Sequence, residues 1–264
     1  MYTYIDTYLL KPLKAKNLVL YDLVSHAISG GKRLRSVITL VIGNCLNPDI
    51  NINKLALAVE LLHNASLILD DMPCMDNDSH RRGKETVHEK WNINTGILSG
   101  DAMLILAYQY FENYPAEIFQ KLAKLFSKTA LEVCDGQQLD VDFETRNDVT
   151  IEEYIKMISL KTSVLIGAAL KMGAIVSKAN ETDAQKLYDF GLNLGIAFQL
   201  QDDYLDTFGN PETFGKQVGG DIIENKKTYL FLKSLELADV NDKNILHQLL
   251  QDLVQPFLLF SYNY

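Results

Sequence analysis

Apolar residues recur at helical intervals along almost the whole of this chain. In residues 54–69 the recurring positions are Leu55, Val59, Leu62 and Ser66, which are three or four residues apart. This spacing puts them on one face of an α-helix. Similar stripes follow as far as residue 237, and no segment shows the alternation of a half-buried strand. Since no repeat or low-complexity linker divides the 264 residues, the sequence predicts one all-α domain, a bundle of roughly ten helices.

Composition and charge exclude several classes of protein. A net charge of −9 argues against a nucleic-acid-binding protein, which usually carries a basic surface. Cys45, Cys74 and Cys134 are scattered and form no CxxC pair, which disfavours a disulfide framework and a thiolate zinc site. Residues 1–20 lack the apolar core of a secretory signal, and no stretch approaches the ~20 uncharged apolar residues of a membrane helix. We therefore expect a soluble, cytoplasmic protein without stable membrane insertion.

Two clusters of aspartate lie far apart in the sequence, each at the end of a strongly apolar segment. The first holds Asp70, Asp71, Asp76 and Asp78, and the second holds Asp202, Asp203 and Asp206. Carboxylates at the C-terminal end of a helix oppose the helix dipole, so they destabilise the helix unless a cation compensates them. Asp202 and Asp206 share one helix face. Asp76 lies about 120° from the face of Asp70 on an ideal helix, and Pro73 predicts a bend between them.

Carboxylate oxygens outnumber histidine and cysteine in both clusters, which favours magnesium over zinc. Mg²⁺ binds through one or two carboxylates and through the phosphate groups of a substrate. Either cluster alone is equally well interpreted as a solvated acidic helix end. Together, on two apolar helices, they predict a metal–phosphate site.

Basic residues that suit a second phosphate group are also present. Lys32, Arg33 and Arg35 follow a Gly30-Gly31 turn, Arg81, Arg82 and Lys84 follow the first aspartate cluster, and further candidates are Lys161, Lys216, Lys226 and Lys227. Each basic run alone is most often a solvated surface. A site for two diphosphates, however, needs metal-bridging carboxylates for one of them and a group of Arg and Lys side chains for the other.

From Leu23 to about Leu235 the chain resembles the trans-isoprenyl (polyprenyl) diphosphate synthases, the family of the farnesyl and geranylgeranyl diphosphate synthases. The matching stretches are, in order, GGKRLR (30–35), HNASLILDDMPCMDNDSHRRGKETVH (63–88), LSGDAML (98–104), GQQLD (136–140), LKTS (160–163), FQLQDDYLD (198–206), FGK (214–216) and GGD…NKKTYL (219–230). Ser79-His80 departs from the family, which usually has an acidic residue and then Leu there. The chain also stops tens of residues earlier than family members usually do. We therefore expect residues 1–264 to form one polyprenyl synthase domain that is truncated at its C-terminus.

The resemblance implies a homodimer with the isoprenoid synthase fold and a reaction cavity inside each helical bundle. It implies that Mg²⁺ is bound by Asp70, Asp71, Asp76, Asp202 and Asp206. It implies that the allylic diphosphate is held by Arg81, Lys161, Lys216 and Lys226, with Thr162 and Gln199 lining the reacting centre. It implies that isopentenyl diphosphate is held by Lys32, Arg35, His63 and Arg82. The residues expected to be catalytic are Asp70, Asp71, Asp76, Lys161 and Asp202.

The implied reaction joins isopentenyl diphosphate head-to-tail to an allylic diphosphate (dimethylallyl, geranyl or farnesyl) and gives a short-chain all-trans polyprenyl diphosphate. A terpene cyclase shares the fold class and the first aspartate motif, but it would need no binding site for isopentenyl diphosphate. A non-catalytic partner subunit of a heteromeric synthase stays open because of the short C-terminus, although both aspartate motifs are intact.

Product length should depend on the residues that precede Asp70 on the same helix. Ser66 and Leu62 lie about 6 Å and about 12 Å below it, and Ala65 lies beside Ser66. In the resembling family a bulky aromatic at the position of Ala65 or Ser66 stops growth at the farnesyl stage. Both residues are small here, so Leu62 is the first candidate for a floor, and we expect geranylgeranyl diphosphate. Farnesyl diphosphate is the alternative if neighbouring helices fill the space, and the small residues could simply allow close helix packing.

Overall fold

A computed structural model describes residues 21–210, 219–223, 225–246 and 248–249. Residues 1–20, the C-terminal tail from 250 onward and Lys216 lie outside the described residues, so the expectations for them are not addressed by the structure.

Helices account for nearly all of the described chain. They are α1 Tyr21–Ile28, α2 Leu34–Leu46, α3 Asn53–Asp70, α4 Val87–Lys90, α5 Ile93–Phe111, α6 Ala116–Thr145, α7 Ile151–Ile158, α8 Val164–Val176, α9 Glu181–Phe208, α10 Gly220–Ile223 and α11 Tyr229–Leu237. A π-helical turn, Ser159–Ser163, joins α7 to α8. The two-residue strands β1 His80–Arg81 and β2 Lys84–Glu85 pair as an antiparallel hairpin. The prediction of an all-α protein is confirmed.

Local sequence signals explain several helix boundaries. Thr150 and Glu153 form a capping box at the start of α7, in which each side chain accepts from the backbone N–H of the other residue. The Asn92 side chain accepts from the N–H of Thr95 and begins α5. At the end of α3 the N–H of Asp76 donates to the carbonyl of Asp70 over 3.0 Å, which folds the chain back. The predicted interruption is therefore present, and α3 already ends three residues before Pro73.

The chain divides into two compact units. The first comprises Met1–Ala130 and Leu165–Gly191, and the second comprises Leu131–Val164 and Leu192–Tyr264. In the first unit α3 is the central helix, and Leu55, Ala58 and Leu61 on it are fully buried. Helix α5 packs closely against α3. The backbone of Gly100 on α5 lies so near α3 that a Cβ at this position would be 2.9 Å from Cγ of Leu69. The core of the second unit is formed by Phe143, Val149, Tyr154, Met157, Ile158 and Leu232.

One helical run, Ile151–Val176, is apolar and long enough to cross a membrane by length and composition alone, which we did not expect from the sequence. Its apolar window is 78% buried inside the protein. A buried core helix passes the same test, so the run is weak evidence for a membrane span.

Candidate active site

The Gly30-Gly31 turn of the first unit is built to lie against an arginine. Both glycines have left-handed backbone angles, with φ of 82° and 86°. A Cβ at Gly31 would lie 2.7 Å from Cζ of Arg82, so a larger residue there would displace that guanidinium group. Arg82 donates from Nη1 to the carbonyl of Gly30 at 3.4 Å and to Oδ1 of Asn64 at 3.0 Å. Lys32 is exposed on the same turn.

Arg35 and His63 meet beside this turn. Arg35 donates from Nη1 to Nε2 of His63 at 3.1 Å. Burial lowers the pKa of Arg35 to about 10, although nearby Glu60 raises it. Burial also holds the pKa of His63 well below its usual 6.5, and the neighbouring arginines lower it further. The imidazole is therefore neutral at neutral pH, and the structure brings together three of the four residues expected to hold isopentenyl diphosphate.

A buried carboxylate, Glu60 of α3, balances these cations. Its Oε1 pairs with Nη1 of Arg33 at 2.8 Å, and both side chains are almost completely buried. Its Oε2 accepts from the hydroxyl of Ser36 at 2.5 Å. Arg33 also donates to the carbonyl of Ile28. Arg33 has a left-handed φ of 53° just before α2, so the ion pair holds an otherwise unfavourable backbone conformation.

The hairpin between β1 and β2 sends two adjacent arginines in different directions. Arg82 and Gly83 both have positive φ, as a type I′ hairpin turn requires. Arg82 reaches the Gly30-Gly31 turn, whereas Arg81 donates from Nε to Oδ1 of Asp71 at 2.5 Å and from Nη2 to Oδ2 of Asp78 at 3.0 Å. A small cavity in this unit is lined by Asn64, Asp71, Arg81 and Arg82, among others.

The first aspartate cluster is partly buried. Asp71 is 4% exposed, and burial raises its pKa to about 6 even though Arg81 opposes that shift. Asp70 and Asp76 are half-buried. Among the described residues, no three side chains of Asp, Glu, His or Cys converge into a complete metal cage. The donor set nevertheless fits Mg²⁺, which needs only one or two carboxylates when substrate phosphates supply further ligands.

In the second unit the π-helical turn carries Lys161 and Thr162. Two glycines allow it to pack tightly: a Cβ at Gly136 would lie 2.2 Å from the backbone N of Lys161, and a Cβ at Gly195 would lie 2.5 Å from Cα of Ser163. Lys161 forms a 2.6 Å ion pair with Asp140. π-Helical turns are frequent at functional sites.

A chain of hydrogen bonds leads from this turn to the second aspartate cluster. Thr162 donates to Oε1 of Gln199 at 3.3 Å, and Gln199 donates from Nε2 to Oδ1 of Asp203 at 3.1 Å. Oδ2 of Asp203 accepts from the hydroxyl of Tyr154 and, at 3.4 Å, from the N–H of Tyr229. Burial raises the pKa values of both Asp203 and Tyr154. Asp203 is thus occupied by protein donors, in keeping with its omission from the expected metal ligands.

The flanking aspartates of the cluster are placed differently. Asp202 is half-buried, while Asp206 is buried and accepts from the N–H of Asp221 at 3.2 Å. Lys226 is half-buried, and its backbone N–H donates to the backbone carbonyl of Asp221. Lys227, by contrast, donates from Nζ to the carbonyl and side-chain oxygens of Asn225, two residues earlier, so its ammonium group stabilises the local turn.

The residues expected to set product length lie in the interior half of α3. Leu62 and Ala65 are buried, and Ser66 is half-buried. The Ser66 hydroxyl donates to the carbonyl of His63 at 2.9 Å, so it is satisfied within its own helix. That Leu62, Ala65 and Ser66 limit the length of the product stays a prediction.

Several residues of these networks were missed from the sequence. They are Glu60, Asn64, Asp140 and Tyr154. A charged residue inside the apolar run of α3 was the available signal for Glu60, and Asp140 belongs to the GQQLD stretch that carries the family resemblance. Tyr154 had no signal, because a tyrosine on the apolar face of a helix is usually core.

Comparisons with known proteins all point to one family. The polyprenyl synthetase family model matches residues 17–255. Geranylgeranyl diphosphate synthase of Saccharolobus solfataricus is 40% identical over 223 residues, which are 83% of this chain and 67% of that protein. The enzyme of the same name from Methanosarcina mazei is 41% identical over 79% of this chain and 64% of that protein. The chain thus spans about two thirds of the length of these curated relatives.

Solved structures give the same result. A crystal structure of a geranylgeranyl pyrophosphate synthase has a TM-score of 0.84 and 52% identity, and the match covers 96% of this chain and 77% of that chain. The geranylgeranyl pyrophosphate synthetase of Pyrococcus horikoshii has a TM-score of 0.84 at 36% identity, with 98% of this chain and 82% of that chain covered.

Proposed function

The chain belongs to the polyprenyl synthetase family, and we propose that it is a short-chain trans-prenyltransferase that condenses isopentenyl diphosphate with allylic diphosphates to give geranylgeranyl diphosphate. The observation that carries the proposal lies in the first unit. There, Arg35, His63 and Arg82 gather at a glycine turn, apart from the pairing of Arg81 with Asp71. One unit thus offers cationic groups for two phosphate-bearing substrates. The names of the relatives support the same product class.

The chain's own residues suit the ionisation of an allylic diphosphate. Asp70, Asp71, Asp76, Asp202 and Asp206 would hold Mg²⁺, and the charge that develops on the departing diphosphate would be neutralised by the bound ion. Arg81 and Lys161 would add hydrogen bonds to the same group, which strengthen as its charge grows. The paired oxygens of Thr162 and Gln199 would face the allylic carbon that becomes positive. The proton lost afterwards is proposed to go to the released diphosphate.

Neutral His63 and its arginine neighbours would hold the second substrate. A neutral imidazole with a free N–H can donate to a phosphate oxygen, while Arg35 and Arg82 supply the charge. A terpene cyclase has no second diphosphate to bind, so this group of residues favours the condensation reaction.

Association into a homodimer and a cytoplasmic location are further parts of the proposal. Helix α5 carries Ile97, Leu98 and Ile105 with exposed fractions of 44%, 56% and 60%. A second copy of the chain would cover such a face. Sedimentation equilibrium of the purified chain tests the dimer, and a concentration-independent monomer mass would contradict it.

A single assay tests the proposed activity. Purified protein, Mg²⁺ and labelled isopentenyl diphosphate are incubated with dimethylallyl, geranyl or farnesyl diphosphate in turn, and products are identified by mass. We expect geranylgeranyl diphosphate, and none when Mg²⁺ is removed with a chelator. A cyclic hydrocarbon formed without isopentenyl diphosphate would identify a cyclase instead. No product with any primer would favour a non-catalytic subunit.

A further inference from the structure

Asn64 links the buried carboxylate of α3 to the arginine at the glycine turn. It lies four residues after Glu60, on the same helix face, and both residues are 1% exposed. A polar side chain buried to this degree destabilises the protein unless its hydrogen bonds are satisfied. Within the part of the chain that the structure describes, the hydrogen bonds of the Asn64 side chain go to Glu60 and Arg82.

The orientation of the Asn64 amide is determined by these partners. Its Nδ2 donates to the backbone carbonyl of Glu60 at 2.8 Å and to Oε1 of Glu60 at 3.1 Å. Both of those oxygens can only accept. On the other side, Nη1 of Arg82 can only donate, and it lies 3.0 Å from Oδ1 of Asn64. A flipped amide would place N–H against N–H and oxygen against carboxylate, so only one orientation is stable.

Glu60 in turn cannot move freely. Arg33 and Ser36 hold its two oxygens, and these partners come from the segment that carries the turn and the start of α2. The same carboxylate acts electrostatically on Arg35 and Arg82, whose pKa values it raises against the larger effect of burial. Arg82 is therefore located between a fixed amide and the backbone of the glycine turn.

We propose that Asn64 is a positioning residue that, oriented by Glu60, holds the guanidinium group of Arg82 against the Gly30-Gly31 turn in the geometry that binds isopentenyl diphosphate. The proposal rests on the proposed function. The amide of Asn64 is engaged by Glu60 and Arg82 and is almost completely buried, so its effect on that substrate should pass through Arg82. Its removal should weaken the binding of isopentenyl diphosphate and leave the allylic diphosphate unaffected.

A double-mutant cycle tests this dependence. Asn64→Leu, Arg82→Ala and the double variant are compared with wild type, and KM is measured for each substrate separately. We expect Asn64→Leu to raise KM for isopentenyl diphosphate about tenfold, the effect of one charge-assisted hydrogen bond, with KM for the allylic primer unchanged. In the Arg82→Ala background the same substitution should add almost nothing. Asn64→Ala is carried through the same cycle, so that the result does not depend on how leucine packs.

Ser177→Ala is the matched control. Its hydroxyl donates to the carbonyl of Gly43 at 3.1 Å and is likewise buried in the first unit, away from the turn. This variant should lower Tm without separating the two KM values. The proposal is overturned if Asn64→Leu behaves like Ser177→Ala, if both KM values rise together, or if its effect persists in the absence of Arg82.

Failure of the proposed function would look different. If wild type makes no product with any primer, that function is wrong. The same variants are then titrated with inorganic pyrophosphate in a chelating buffer by calorimetry. Weaker binding in Asn64→Leu that disappears in the Arg82→Ala background would still support the positioning role, and independent effects of the two substitutions would overturn it.

Discussion

Arg35 on α2 donates a hydrogen bond from Nη1 to Nε2 of His63 on α3, with 3.1 Å between the two nitrogens. A guanidinium group can only donate, so Nε2 of His63 must carry the lone pair and Nδ1 the proton. Burial and the adjacent arginines lower the pKa of His63 well below 6.5, which agrees with this neutral tautomer. Protonation of His63 at Nε2 would break this hydrogen bond and place an additional positive charge among the arginines.

The contribution of His63 to folding stability should therefore fall as the pH drops below about 6.5. In that range the unfolded chain takes up a proton at His63 that the folded protein does not bind, so acid favours unfolding. The share of this one residue is at most about 1.4 kcal/mol per pH unit. Urea unfolding of wild type and His63→Gln at pH 7, 6 and 5 measures it. Wild type should lose more stability than the variant, and parallel pH profiles would contradict the prediction.

The sequence predicted the helices and the motif residues, because both depend on short-range pattern. Apolar spacing identified α3, and the stretches around Asp70 and Asp202 carried the family resemblance. The networks that hold these residues were not predictable in the same way. Glu60 and Arg33 are 27 positions apart, and Tyr154 and Asp203 are 49 apart, so their pairing depends on how the helices pack.

The π-helical turn illustrates the same limit. Its sequence, SLKTS, continues the apolar run from α7 into α8, and periodicity alone predicts an uninterrupted α-helix there. The turn accommodates close contacts from Gly136 and Gly195, which lie 25 and 32 residues from Lys161 and Ser163 respectively along the chain. A glycine in a helical pattern signals a close approach but does not say which segment approaches.

Asp70 and Asp202 should differ from Asp203 in what their removal does. Asp70→Ala or Asp202→Ala should lower turnover by at least about 10²-fold at saturating Mg²⁺, because each removes a ligand that stabilises transition-state charge. Neither should lower Tm in the metal-free protein, since repulsion between carboxylates is relieved. Asp203→Ala leaves the buried hydroxyl of Tyr154 unpaired, so it should destabilise the fold by about 1–3 kcal/mol.

Kinetics and melting curves of the three variants separate these roles. Near-wild-type turnover of either Asp70→Ala or Asp202→Ala would contradict the prediction that both aspartate clusters bind the metal. A Tm for Asp203→Ala equal to that of wild type would show that its hydrogen bonds contribute little.

Gly136→Ala should damage the π-helical turn. The added Cβ would lie 2.2 Å from the backbone N of Lys161, and backbone cannot rotate away as a side chain can. The turn must shift, and with it Lys161 and Thr162, so turnover should fall by about 10²-fold or more. Gly96→Ala is the matched control, because its Cβ would lie 2.8 Å from Sδ at the flexible end of the Met72 side chain and 3.7 Å, an ordinary contact distance, from Cβ of His88. Equal activity of the two variants would contradict this account of Gly136.

Product length is predicted to respond to Ala65 and Leu62 on α3. Both are buried, and they precede Asp70 by five and eight residues. Ala65→Phe should shorten the main product by at least one isoprene unit, because the ring would fill the space just below the end of the helix that carries Asp70. Leu62→Ala should lengthen it by removing the first bulky side chain one turn further down.

Leu61→Ala provides the control for that second substitution. Leu61 is also buried, but it lies about 180° around the helix from Asp70, so it cannot share the face of Asp70. Both leucine variants should lose about 2–5 kcal/mol of stability from the cavity they leave. Only Leu62→Ala should change the product distribution, measured by mass at a temperature where both proteins are folded. If neither Ala65→Phe nor Leu62→Ala altered the products, the floor would have to lie on another helix, since residues on α3 would then not limit the growing chain.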